Sequence, residues 1–120
     1  MVVKREGKYI SDVPEWICEE DILKTESERV GGNNKIIITT VNGEYIYNTS
    51  VDHFTALMSQ KPGFEVTDRG RMANLNHDFI VDEKKGLVLF DKHPNIFTTA
   101  TPMGLKRIKE YIEKFIKERT

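Results

Sequence analysis

Two β-prone runs joined by Asn42-Gly43 constrain this chain more than any other feature. Lys35–Val41 contains Ile36-Ile37-Ile38, and Glu44–Asn48 contains Tyr45-Ile46-Tyr47. Asn-Gly between such runs is the strongest two-residue hairpin signal, because both turn positions need positive φ. Other turn signals crowd the chain: Gly31-Gly32-Asn33-Asn34, Lys61-Pro62-Gly63, Gly70, Lys84-Lys85-Gly86 and His93-Pro94-Asn95. Further strands are predicted between them at Ile22–Glu28, Phe64–Thr67, Phe79–Asp82, Leu87–Phe90 and Ile96–Thr99. Many short strands with dense turns specify a mostly β core.

Two helices interrupt the strands. Val51, Phe54, Leu57 and Met58 form a short apolar stripe, with Thr49 or Ser50 as cap and Pro62-Gly63 as stop. Near the end of the chain Leu105, Ile108, Ile112, Phe115 and Ile116 fall on one helical face, with Thr101-Pro102 suited to the cap and first position. That stripe reads as core packing. Within residues 1–19, Val2–Ile10 is a candidate strand, and Val13-Pro14-Glu15-Trp16-Ile17 reads as an anchoring segment with Trp16 buried. The expected fold class is mostly β (α+β), antiparallel, with one short internal helix and one C-terminal amphipathic helix.

At 120 residues the chain suits one domain. We divide it into an N-terminal extension, 1–19, and a domain, 20–120. No apolar run approaches the roughly 20 residues of a membrane span, and the N-terminus lacks a signal-like stretch. A single cysteine, Cys18, excludes an internal disulfide. A cytoplasmic protein is expected. The net charge of −1 conceals an asymmetry: residues 1–65 carry seven Lys and Arg against eleven Asp and Glu, and residues 66–120 carry eleven against eight. Such segregation can orient a molecule on a polyanion.

Enzymatic chemistry finds little support. His53, His77 and His93 lie far apart with no second ligand at helical or strand spacing, so no metal site and no cofactor is expected. His53 falls on the short helix and His93 in a turn. The carboxylates Glu19-Glu20-Asp21 and Asp82-Glu83 read as solvated surface, and no phosphate loop, dinucleotide fingerprint or nucleophile motif is present. What stands out is a polar, arginine-bearing segment between apolar anchors, Phe64 to His77. Arg69 and Arg71 flank Gly70, which suits a tight bend presenting two guanidinium groups from one rigid turn. Their planar forks match guanine edges and phosphates. The competing reading is an ordinary solvated hairpin.

This segment resembles the signature of the LytTR family of DNA-binding domains. Phe64 takes the aromatic position, Arg69 the arginine, Met72-Ala73 the apolar pair and Asn74-Leu75 the closing Asn-Leu. Asp21-Ile22-Leu23 with Glu26 resembles the family's entry strand, and Ile36 to Tyr45 its hairpin. Val51–Met58 resembles its short helix, and Leu87–Phe90 with Ile96–Lys114 its last strands and helix. The likeness covers roughly residues 20–117. It implies an elongated antiparallel β fold whose loops enter successive major grooves of double-stranded DNA. Base contacts then fall on Asp68, Arg69 and the Thr101–Met103 stretch.

Departures from the pattern alter the expectation. Asp68 stands where histidine is usual, Gly70 where serine is usual, and Thr101, Pro102 and Met103 where arginine is usual. An aspartate can accept from cytosine N4 but repels phosphate. Arg71 can compensate in part, and Lys106 and Arg107 with Thr98, Thr99 and Thr101 can supply phosphate contacts. The expected DNA-binding set is Asp68, Arg69, Gly70, Arg71, Asn74, Thr99, Thr101, Met103, Lys106 and Arg107. The expected function is that of a small transcriptional regulator acting on duplex DNA, in two copies on repeated half-sites. With no receiver domain in the chain, a partner or second copy would set activity. The alternative is a protein-interaction module or antagonist on the same fold, pairing with a related regulator.

Overall fold

A computed structural model describes residues 1–116. Ten strands form two antiparallel sheets. In chain order they are β1 (Val2–Glu6), β2 (Tyr9–Glu15), β3 (Ile22–Val30), β4 (Asn33–Thr40), β5 (Gly43–Tyr47), β6 (Phe64–Asp68), β7 (Arg71–Asn74), β8 (Phe79–Asp82), β9 (Leu87–Phe90) and β10 (His93–Thr99). Helix α1 (Val51–Met58) lies between β5 and β6, and α2 (Pro102–Tyr111) follows β10 and runs on into a π turn, Ile112–Ile116. The fold is mostly β, as its turn spacing requires, and is elongated at 45 × 26 × 25 Å.

The larger sheet has the order β2-β1-β5-β4-β3-β7-β6, and the smaller β10-β9-β8. Alternation along the strands of the large sheet feeds two separate cores. On one face Ile22, Ile36, Ile38, Tyr45, Phe64 and Met72 pack beneath Phe54 and Met58 of α1. On the other, Leu23, Ala73 and Leu75 meet Val88 and Phe90 of the small sheet and Ile108 and Tyr111 of α2. The strand set β3-β7-β6 is thus sandwiched.

Helix ends follow local chemistry. The Ser50 hydroxyl accepts from the His53 amide at 3.3 Å, and the Thr101 hydroxyl accepts from the Gly104 amide at 3.1 Å with Pro102 in the first turn. Each satisfies a backbone donor that the first helical turn leaves open. The apolar stripe on α1 is narrower than expected: Leu57 is exposed while Phe54 and Met58, one turn apart, carry the packing. On α2, Tyr111 is buried, and the π turn after it leaves Phe115 and Ile116 partly exposed.

Three local expectations are corrected. The β4–β5 hairpin forms in the register Thr40↔Gly43, but only Gly43 takes positive φ. Asn42 stays at negative φ because the Thr40 hydroxyl holds the loop, accepting from the Asn42 amide at 3.0 Å and donating to the Gly43 carbonyl at 3.1 Å. Trp16 is not buried: it is 80% exposed, beyond the end of a hairpin in which β1 pairs with both β2 and β5. His93 opens β10 rather than sitting in a turn, pairing with Phe90.

Candidate nucleic-acid interface

The turn at Gly70 is built by a bulge. Val66 opposes Met72 and Asp68 opposes Arg71, so Thr67 is one residue extra in β6. Phe64 and Val66 face the α1 core, and strict alternation would send Asp68 the same way. The extra residue turns Asp68 to the opposite face, beside Arg71. A one-residue slip in a period-two pattern has that consequence.

On that face a polar network closes over the end of β10. The Thr99 hydroxyl donates to Asp68 Oδ2 at 3.0 Å and accepts from Arg71 Nη1 at 2.6 Å. Arg71 Nε also lies 3.7 Å from Glu26 Oε2. Asp68 Oδ1 accepts from the Arg69 amide at 2.7 Å, and the Gly70 carbonyl accepts from the Ser27 amide at 2.9 Å. Gly70 has φ of +72°, and a Cβ there would fall 2.5 Å from Ser27 Oγ, so glycine serves both the turn and the close approach to β3.

The bulge also seats α2. The Thr67 carbonyl, released from the ladder, accepts from the Thr101 amide at 2.8 Å and from the Thr101 hydroxyl at 3.4 Å. A Cβ on Gly104 would lie 2.0 Å from that same carbonyl oxygen. Arg107 Nη1 donates to the Val66 carbonyl at 3.2 Å. The first turns of α2 are therefore fastened to the strand that leads into the bend. Glu65, on the same face, has its carboxyl pushed above the usual range by desolvation, opposed by Arg107 and reinforced by Glu110.

The bend is solvent-accessible, but it does not present two guanidinium groups together. Arg69 is exposed and lines a polar groove between the bend and α1, with Ser27, Asn34, Ser50, Asp52 and Thr55 around it. Among the described residues its guanidinium has no hydrogen bond or ion pair. Arg71 is half-buried on the other face and committed to Thr99 and Glu26. The bulge accounts for the divergence, since it reverses facing between the two sides of the turn.

The remaining expected contacts divide clearly. Lys106, Arg107 and Met103 are exposed on α2, and Thr99 is half-buried within the network. Thr101 is spent as helix cap and tether. Asn74 is corrected: it is 1% exposed and cannot reach a ligand. Its Nδ2 donates to the Ile22 carbonyl at 2.8 Å, and its Oδ1 accepts from the Asn76 amide at 3.1 Å and Asn76 Nδ2 at 2.9 Å. Sequence reasoning missed Glu26, Ser27, Thr67 and Gly104. Only Gly104 left a trace, as a glycine inside a helical pattern, where it weakens the helix unless packing demands it.

Among the described residues no group of three or more His, Cys, Asp or Glu is placed to hold a metal ion. No helix among them is long and apolar enough to cross a membrane. The fold and site define a mostly β α+β domain with a tethered, arginine-bearing bend beside a cationic helix start. No protein-family model matches the chain, and no curated protein matches it.

Proposed function

We propose that this chain binds double-stranded DNA as a small cytoplasmic transcriptional regulator of LytTR type. The observation that carries this reading is the fastening of the Gly70 bend to the start of α2 through Asp68–Thr99 and Thr67–Thr101. That fastening fixes the backbone from which the unpaired Arg69 guanidinium projects relative to the start of α2, which carries Lys106 and Arg107. A tip of this kind entering a major groove meets a phosphate wall on each side. Arg69 faces the α1 side, and the cations of α2 face the other. Arg69 is the candidate for reading a guanine edge, a contact that discriminates by about 1–3 kcal/mol. Lys106 and Arg107 are candidates for phosphate. Arg71 acts as a positioning residue, because its guanidinium holds Thr99 and through it Asp68.

Selection from a random duplex pool, followed by binding titrations at several salt concentrations, tests this. Two phosphate contacts imply a log–log salt slope near about −1.8, or roughly a twelvefold loss of affinity between 50 and 200 mM salt. Lys106→Ala should reduce the slope by about one and weaken all sequences alike, whereas Arg69→Ala should erase site preference. Absence of any salt-dependent affinity for duplex would favour the second reading, an interaction module pairing with a related regulator. Exposed Tyr9 and Val13 on the N-terminal hairpin, with Trp16 just beyond it, supply its surface.

A further inference from the structure

An apolar cavity of about 200 Å³ opens at the opposite end of the α1 core from the Gly70 bend. Its walls are Val2, Ile22, Ile38, Tyr47, Phe54 and Met58. Val2, Ile22, Ile38 and Met58 come from four different elements, so the cavity lies at a junction of β1, β3, β4 and α1 and opens to solvent on one side. Tyr47 and Phe54 meet edge to face at 6.0 Å and 88° on its wall. At its mouth stands Trp16, the only tryptophan and 80% exposed, although an indole is among the most favourable side chains to bury. An unfilled apolar space beside an exposed indole marks a place where apolar contact is available and unused.

We infer that this cavity is a binding site for a small uncharged aromatic molecule, over which Trp16 closes. Volume sets the size. An apolar cavity of about 150 Å³ holds benzene, and pockets for drug-sized ligands begin near about 300 Å³. The space here therefore takes about eight to ten non-hydrogen atoms. Chemistry sets the class. The inner walls are aliphatic and aromatic, and Tyr47 and Phe54 continue their edge-to-face packing onto a third ring, with the Trp16 indole as a fourth surface. The apolar walls select against an ion, because burying a charge without a partner is costly; Met1, Glu15 and Glu19 border the opening, with Glu19 held by Lys61 at 2.8 Å. The site lies on the α1 face, away from Thr99 and α2, and does not rest on the DNA-binding reading.

The probe is 2-phenylethanol, titrated into the full chain, with phenylacetate as its anionic counterpart. Two readouts are independent: Trp16 fluorescence excited selectively, and the Met58 ε-methyl resonance from inside the cavity. We expect saturable, parallel changes in both, with Kd of about 1 mM or tighter, and at least fivefold weaker binding of phenylacetate. Trp16→Ala, at an exposed position that leaves the fold intact, should weaken 2-phenylethanol about fivefold or more by the Met58 signal. Ile17→Phe, which narrows the opening from a half-buried lip, should abolish it. No response up to about 10 mM overturns the proposal, as does a Trp16 response without a Met58 response, or equal binding by Ile17→Phe. A Trp16 emission already shielded in the free protein also overturns it, since the indole would then be the occupant.

Discussion

Replacing Gly104 with alanine should destabilise this protein, although alanine is the best helix former and position 104 lies inside α2. In an unpacked helix the exchange would stabilise by up to about 1 kcal/mol. Here the new Cβ would sit 2.0 Å from the Thr67 carbonyl oxygen, 2.7 Å from its carbon and 2.9 Å from its Cα, all backbone atoms. Contacts below 3.0 Å do not persist, so the first turn of α2 must retreat from β6 by about 1 Å. Overpacking of that kind costs about 1–3 kcal/mol. The retreat also stretches the Thr101–Thr67 and Arg107–Val66 hydrogen bonds, each contributing about 1 kcal/mol. Offsetting the helix gain leaves a net loss of about 2–4 kcal/mol, or roughly 10 °C in Tm for a domain of this size. Urea unfolding followed by far-ultraviolet circular dichroism measures it, as a lower midpoint at unchanged slope. A variant as stable as the parent, or more so, would refute the claim that α2 is seated on the bulge carbonyl.

Three further outcomes follow from the same geometry. Asn74→Ala strands the Ile22 carbonyl and the Asn76 donors in a buried site, and should cost about 2–4 kcal/mol in the same unfolding assay; near-neutral behaviour would mean the amide is not structural. Thr99→Val keeps the volume but removes the hydroxyl between Asp68 and Arg71, so it should cost about 1–2 kcal/mol and accelerate hydrogen exchange at the bend amides; unchanged exchange would show the network does not hold the turn. Glu65 has its carboxyl raised by desolvation in the fold, so its contribution to stability is full below the unfolded value and is lost as pH rises through the folded one. Stability relative to Glu65→Gln should therefore decline as pH climbs through the carboxylate range, and an opposite slope in that difference would place the cause elsewhere.

Much of the candidate site was legible because its parts are local. Gly70 between two arginines announces a bend, and Thr101-Pro102 before an apolar stripe announces a helix start, each through backbone chemistry confined to a few residues. The direction of side chains around the bend was not legible. Arg69 and Arg71 are two apart and would share a face in a continuous strand, yet the bulge at Thr67 and the turn send them to opposite faces. Asn74 shows the same limit from another side. A polar residue ending a loop-like segment reads as surface, but the carbonyl it satisfies belongs to Ile22, fifty-two positions away.

What the chain alone determined are its elements and their class. Strand alternation, turn residues and helix caps act over two to four residues, so β3–β6, β8–β10, α1 and α2 were placed close to their observed bounds. Strand β7 was not foreseen, and Val2–Ile10, read as one strand, is split at Gly7-Lys8 into the β1–β2 hairpin. What only tertiary structure decided is which element covers which. The small sheet and α2 lie on one face of the large sheet and α1 on the other, and Gly104 exists for an approach to Thr67 that no neighbouring residue foretells. Trp16 stays in solvent for a related reason. Burial is granted by whatever packs across from a side chain, and in this fold nothing described does so.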